Sequence, residues 1–365
     1  MEQSPASISR RKFLGTLAAG AGAAAGATLL GGTGTSEAAT ADRGLNHLAW
    51  VWQWSDDGKE SDIRNVLRDH GTGILLKTHD GTSWMGKYDN SGRRINSPRD
   101  VQAAANYFES AGVPFHAWCV VKGTDVMTEA YMAAEVLSAG ARSLTFDLEP
   151  PEGAHYWQGE NDDAKRFGEV VRRLQPTAWL GVAPDPRPWQ LEAVPMAEFA
   201  AFTNEIMPQT YWSTFNSSAN HRLLRQFGYE VGPEGVTPEL ILDVTRNALR
   251  RYGRPIRPVG QGAASSNDWR RFVGHSQQLG MEAVSIWRYG TATPDIFPLL
   301  KEMQPKQPPA PRQSQASSKL ASPEEIKAAS SNKASEDKST SYRTSAYQTE
   351  TSPGVSRWRW TGETK

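Results

Sequence analysis

The stretch Ser143-Leu144-Thr145-Phe146-Asp147-Leu148-Glu149-Pro150 places two carboxylates two residues apart at the end of an apolar run. Side chains of an extended strand alternate between faces, so Leu144, Phe146 and Leu148 share one side and Ser143, Thr145, Asp147 and Glu149 the other. At roughly 3.3 Å rise per residue the Cα atoms of Asp147 and Glu149 lie about 6.6 Å apart. At that separation one carboxylate can orient the other or raise its pKa. Carboxylates whose surroundings push their proton affinities apart divide the roles of general acid and general base. The spacing therefore predicts acid–base chemistry presented by the tip of a buried parallel strand.

Positioning such a tip requires a scaffold, and the rest of the chain supplies a repeating one. Short apolar runs at 48–52, 73–78, 113–121, 143–148, 179–183, 205–210, 256–260 and 283–287 read as eight strands. Helical patterns fall between them at 61–69, 98–110, 126–139, 162–173, 238–252 and 267–279, with a last one at 294–303 and only a short helix at 196–202. Gly112, Gly140, Gly253 and Gly280 stand where helices stop before the next strand. Eight strand–helix units in about 260 residues match an α/β chain of the (β/α)8 TIM-barrel type. An open doubly wound sheet would carry a glycine-rich turn after its first strand. Here the run Gly31-Gly32-Thr33-Gly34 lies upstream of any strand.

Barrels place their chemistry where strands end, and the strand ends here are rich in aromatic and polar groups. They carry Trp52 on the first strand, Lys77 and His79 on the second, Trp118 on the third, Asp185 on the fifth, Gln209 and Tyr211 on the sixth and Trp287 on the eighth. Alternation sets Lys77 with His79, and Gln209 with Tyr211, on common faces. The expected site is an aromatic-walled polar cup with Glu149, Asp147 and Tyr211 as catalytic groups. Trp52, Lys77, His79, Trp118, Asp185, Gln209 and Trp287 are the expected substrate-binding residues. Asp185 is an alternative base, although Pro184 and Pro186 suggest that it shapes a loop.

Composition narrows the partner. The 365 residues hold 40 basic and 40 acidic side chains, a balance that does not point to nucleic acid. Thirteen tryptophans provide faces on which sugar rings can stack, besides filling the core. Cys119 is the single cysteine, which excludes disulfides within the chain, four-cysteine zinc sites and iron–sulfur clusters. No metal and no cofactor are expected, since neither H-x-H nor H-E-x-x-H spacing occurs.

Both ends differ from the middle. Ser9-Arg10-Arg11-Lys12-Phe13-Leu14 resembles the twin-arginine translocation consensus and is followed by a weakly apolar Ala/Gly-rich stretch and the small-residue site Ala39-Thr40-Ala41. Residues 1–41 are thus expected to be an export signal read by the twin-arginine machinery. Cleavage would leave no stable membrane span and an extracellular, cell-wall or periplasmic product. Residues 42–303 form the barrel domain. Residues 304–365 read as a disordered low-complexity tail rich in Pro, Ser, Lys, Gln and Glu.

Several of these motifs resemble glycoside hydrolase barrels, in particular the family 18 chitinases and family 25 lysozymes. Asp147-Leu148-Glu149 is similar to the D-x-E end of the chitinase D-x-x-D-x-D-x-E strand and to the fourth-strand D-x-E of the lysozymes. The resemblance implies that Glu149 is the proton donor. Met207-Pro208-Gln209-Thr210-Tyr211 is similar to the sixth-strand chitinase segment that presents a Tyr to the substrate's acetamido group, and Trp287 falls where those enzymes floor the pocket. The run from Leu76 to Ser83 resembles the second strand of the lysozymes, which often reads K-A-T-E-G. The chain departs from both patterns. Arg142 and Thr145 replace the two upstream acids of the chitinase strand, no Asp ends the first strand, and the seventh strand offers Gln261 rather than Glu.

What the resemblance implies is hydrolysis of a polysaccharide or oligosaccharide by substrate assistance. Glu149 protonates the leaving oxygen while Asp147 and Tyr211 hold an acetamido group that acts as internal nucleophile. The expected function is a secreted glycosidase acting on β-linked N-acetylated amino-sugar polymers of the peptidoglycan or chitin type. The alternative is a barrel that binds such glycans at the cell wall without cleaving them. A metal-dependent deacetylase or amidase is a third and weaker fit.

Overall fold

The computed structural model describes residues 47–151 and 155–303. The expected export signal over 1–41 and the expected tail over 304–365 lie outside the described residues. Among the described residues eight parallel strands run in chain order, β1 Leu48–Val51, β2 Gly73–Asp80, β3 Phe115–Val120, β4 Ser143–Leu148, β5 Trp179–Pro184, β6 in two pieces Glu205–Ile206 and Gln209–Thr210, β7 Val259–Gln261 and β8 Ser285–Trp287, and the short strand Ser83–Trp84 folds back antiparallel on β2. β1 through β5 pair in parallel with their sequence neighbours, and β8 joins β7 to β1. The lower piece of β6 pairs with β5 and the upper piece with β7. The sheet path therefore begins and ends on the same segment, and the barrel closes.

Helices α1 Glu60–His70, α2 Pro98–Glu109, α3 Val126–Ser138, α4 Asn161–Leu174, α5 Met196–Phe202, α6 Ser218–Gln226, α7 Pro238–Leu249, α8 Ser266–Gln278 and α9 Ile296–Leu300 lie between or after the strands. Local chemistry sets their ends. Ser97 and Thr237 accept from the backbone N–H groups of Asp100 and Leu240, each just ahead of a proline in the first turn. The turns after α2 and α8 pass through Gly112 and Gly280 at φ 76° and 78°, a left-handed conformation that glycine adopts without steric cost. α6 was not expected from apolar periodicity, because only Leu224 of that helix is buried.

Alternation along the strands separates two cores. Outside the sheet, Leu144, Phe146 and Leu148 of β4 pack with Phe167, Phe199 and other helix residues. Inside it, Leu48, Trp50, Leu75, Trp118, Val120, Ala183, Met207 and Val259 fill the barrel. The floor of the interior is polar. Glu205 and Arg257 form a buried ion pair at 3.0 Å, Trp179 Nε1 donates to Glu205 at 2.9 Å, and His116 Nδ1 lies 2.7 Å from Ser143 Oγ.

One irregularity changes which side chains face inward. The pairing of β2 with β3 runs Lys77↔Trp118 and then His79↔Cys119, so Thr78 is an extra residue and a bulge. Past the bulge the parity inverts. Asp80 pairs with Val120 of the inner core, and His79 pairs with Cys119 of the outer core.

Candidate active site

β4 delivers the acid pair as its alternation requires. Asp147 is buried at 8% exposure, while Glu149 follows the strand end and is half-buried. The backbone beyond it is pinned, since Trp157 N–H donates to Glu149 O at 3.3 Å and the Trp157 ring is buried against Phe199. From the upper piece of β6, Gln209 Nε2 donates to Asp147 Oδ1 at 3.0 Å and to Glu149 Oε1 at 2.8 Å. One amide nitrogen thus bridges both carboxylates. Tyr211 stands two residues further on, packs against the inner cluster and has its ring 5.8 Å from that of Phe215.

Electrostatics set the protonation of this group. Burial, and after it the negative charge of Glu149, pushes the Asp147 carboxyl well above the usual carboxylate range, opposed by Lys77 and the Gln209 hydrogen bond. Burial also raises the Tyr211 phenol, and the Asp147 and Glu149 charges add to the effect. The phenol stays a hydrogen-bond donor throughout the physiological range. A buried, hydrogen-bonded acid pair of this kind can hold a proton at neutral pH and give it to an oxygen brought against it.

Three indoles floor the site. Trp50 and Trp118 lie 5.0 Å apart between centroids, and Trp287 meets them edge-on at 5.6 and 5.4 Å. Trp118 Nε1 donates to Val51 O at 3.1 Å, which fixes its ring against β1. Trp52 is half-buried beside this cluster, with the Arg288 guanidinium 5.3 Å from its ring. Arg288 itself is held by Asp57 at 2.6 Å, and Asp57 also accepts from the backbone of Trp52 and Gly290. This carboxylate ties the loop after β1 to the loop after β8.

Lys77 faces the interior one layer below Asp147, buried, with Nζ 5.0 Å from the Trp118 ring and 2.9 Å from Asp80 Oδ2. Lys122 takes the other oxygen of Asp80 at 2.5 Å. Burial alone would raise the Asp80 pKa, but the two ammonium groups outweigh it and hold the carboxylate below its usual range. Lys122 is placed by Glu129, a buried carboxylate that accepts from the N–H groups of Lys122, Gly123, Thr124 and Asp125.

Two expected binding residues stand elsewhere. The bulge at Thr78 turns His79 out of the cup, where its Nδ1 lies 2.9 Å from Thr78 Oγ1 and its ring meets Trp84 edge-on at 5.8 Å. Burial lowers its pKa to about 3, so it is a neutral core residue. Asp185 does reach the strand end, but Arg187 grips both of its oxygens, with Nε at 2.9 and 3.0 Å. The same guanidinium bonds Asn220 and lies 4.2 Å from the Phe215 ring. Asp185 is a loop-shaping carboxylate, not a free base. The structure brings together Glu149, Asp147, Tyr211, Gln209, Lys77, Trp118, Trp287 and Trp52. Sequence reasoning missed Glu129 and gave Asp80 and Lys122, at the ends of the second and third strands, no role. The D-G after His79 and the K-G-T-D before α3 were the available signals.

Among the described residues no group of three or more His, Cys, Asp and Glu side chains could hold a metal ion, and no helix is long and apolar enough to cross a membrane. Neither a family model nor a curated protein sequence matches the chain. Solved structures do. A glycoside hydrolase family 18 N-acetylglucosaminidase from Paenibacillus barengoltzii matches with a TM-score of 0.51 at 11% identity, over 71% of this chain and 99% of that one. The C-terminal domain of a putative chitinase from Desulfitobacterium hafniense DCB-2 matches with a TM-score of 0.51 at 12% identity, over 71% and 99%. A chitinase from Chromobacterium violaceum ATCC 12472 gives 0.50 at 10% identity, over 71% and 98%. The chain carries the TIM-barrel fold of these glycoside hydrolases.

Proposed function

We propose that the protein is an exported glycosidase that cleaves β-linked N-acetylated amino-sugar polymers, of the peptidoglycan or chitin type, with Glu149 as the acid. The observation that carries this reading is the Gln209 bridge between Asp147 and Glu149 above a floor of three indoles. A sugar lying on Trp287 would bring its glycosidic oxygen to the half-buried Glu149. Glu149 gives its proton to that oxygen as the bond to the anomeric carbon breaks. The acetamido carbonyl oxygen closes onto the same carbon, with its N–H held by Asp147 and its oxygen by the Tyr211 phenol. Water then attacks the anomeric carbon and returns a proton to Glu149, which restores the acetamido group. Export through the twin-arginine pathway belongs to the same proposal and rests on residues 9–14 and 39–41.

The full chain, or residues 42–303, should release reducing ends from such a polymer. Glu149→Gln should lower the rate by at least about 10²-fold, the usual contribution of a general acid, with an unchanged melting temperature. Turnover that survives the substitution would reject the assignment.

A second reading, a glycan-binding barrel without turnover, is favoured by one observation. The positions upstream of Asp147 hold no acid: Thr145 donates to Met207 Sδ at 3.3 Å, and Arg142 is bonded to Glu109 at 2.7 Å. Tight binding to insoluble polymer, equal in wild type and Glu149→Gln and with no reducing ends from either, would establish that reading in place of the first.

A further inference from the structure

β4 carries no ionisable group beneath Asp147, because the inward position below it is Thr145. The charge there comes across the sheet. Asp80, Val120 and Asp147 form one inward layer of β2, β3 and β4, and Lys77, Trp118 and Thr145 form the layer below. Lys77 is buried at 7% side-chain exposure, and its ammonium is fixed by Asp80 Oδ2 at 2.9 Å and by the face of Trp118. Lys122 neutralises Asp80 from the other side at 2.5 Å.

The remaining charges around the pair are already matched. Arg288 from the loop after β8 is held by Asp57, and Arg187 from the loop after β5 holds Asp185. Glu205 and Arg257 pair on the floor. Gln209 carries no charge, and burial keeps the Tyr211 phenol protonated. Glu129, a buried carboxylate, is met by the four N–H groups of the loop ahead of α3, which leaves, among the described residues, the Lys77 and Lys122 ammonium groups, the Asp80 carboxylate and the Asp147–Glu149 pair. These cancel when the pair holds a single proton. Full ionisation would leave the buried group with a net negative charge, and full protonation with a net positive one, and burying net charge is costly.

We infer that Lys77, seated by Asp80 and Lys122, is the fixed counter-charge that keeps one proton and one negative charge on the Asp147–Glu149 pair across neutral pH. The inference deepens the acid–base reading proposed above and rests on it for its catalytic meaning. Lys77 acts through the pair and touches no reacting atom, so it is a positioning residue. It acts from β2, with β3 between it and β4.

The test needs no substrate. In the full chain with 13C-labelled carboxyl groups, the Asp147 and Glu149 signals are assigned with Asp147→Asn and Glu149→Gln and followed against pH. Removing the cation in Lys77→Met should move the lower of the two protonation steps of the pair upward by about 1 to 3 pH units, the range expected for an opposite charge at close quarters. Lys77→Arg should leave it near the wild-type position. Lys122→Met should move the lower step in the same direction by less, and Asp80→Asn should move it down. The last two variants decide the matter if Lys77→Met does not fold. Titrations that superimpose on wild type in every folded charge-removing variant would overturn the inference. Failure of the glycosidase reading is distinct: the pair would titrate as expected, yet no polymer would be turned over. Where turnover is found, the acid limb of the kcat/KM profile of Lys77→Met should move by the same amount as the carboxyl signals.

Discussion

Gln209 Nε2 donates to Glu149 Oε1 at 2.8 Å, and this bond reaches across the barrel mouth from β6 to the end of β4. The same nitrogen holds Asp147, so the relative orientation of the two carboxylates depends on one amide. Gln209→Leu should therefore reduce kcat on an N-acetylated oligosaccharide by about 10²-fold, the scale at which misplacement of a reacting group by an ångström is felt. Its melting temperature should stay near wild type, because Gln209 is only partly buried. An unchanged kcat would show that the bridge has no part in the reaction.

Asp185 offers a contrasting case. Its oxygens are both taken by Arg187, so Asp185→Asn should keep most of the turnover and the same pH optimum. The loop after β5 should loosen, measured as faster hydrogen exchange at Arg187 and its neighbours. A loss of more than about 10²-fold with a displaced basic or acidic limb would identify Asp185 as a proton carrier after all.

The barrel floor predicts a stability effect with no direct link to the site. Arg257→Met leaves Glu205 as an unpaired buried charge and should destabilise the fold by about 3–5 kcal/mol. The double variant Glu205→Gln/Arg257→Met should recover part of that loss, since no uncompensated charge remains. Urea unfolding midpoints give both values, and equal destabilisation in single and double variants would contradict the account.

Acid should weaken the fold through buried histidines, of which His79 and His116 are shifted furthest and His47, lowered to about 4, acts in the same sense. Burial holds His79 and His116 neutral, each with a pKa lowered to about 3 from the ordinary histidine value of 6.5. The unfolded chain binds those protons first, so the stability they confer is complete above about pH 6.5 and is lost as pH falls from there toward 3. Asp147 works in the opposite sense, since its raised pKa favours the folded state as the carboxyl protonates. The comparison that isolates the histidines is the slope of melting temperature between pH 7 and 4. In His79→Asn/His116→Gln it should be shallower than in wild type, and parallel slopes would reject this origin of acid sensitivity.

The parts of the fold that follow from strict periodicity could be read from the chain. The run from Ser143 to Glu149 alternates without interruption, and Leu144, Phe146 and Leu148 do lie in the outer core with Asp147 facing inward. The same rule failed on β2, because a one-residue bulge leaves no mark in composition and inverts every side chain after it. His79 was misplaced for that reason, and Asp80 was given no role. Asp185 was placed at the right level of the barrel but with its partner unseen: a guanidinium two residues away can either shield a carboxylate or point elsewhere, and only the fold of the loop decides. Glu129 was invisible for a related reason. It looks like an ordinary acidic residue in the first turn of α3, whereas its function is to gather four backbone N–H groups of the preceding loop.

Ladder pairing between β5 and β6 ends at Ile206, with Met207 N–H still bonded to Val182 O, and the upper piece of β6 holds only to β7. Gln209 and Tyr211 therefore belong mechanically to one lip of a seam, and Asp147 and Glu149 to the other. The bonds from Gln209 stitch the two lips together where the backbone does not. A ligand spanning both lips would add a second suture to a seam that the backbone leaves open only at its upper end. Amide protection at Gln209 and Tyr211 would then report occupancy of the site as directly as any assay of product.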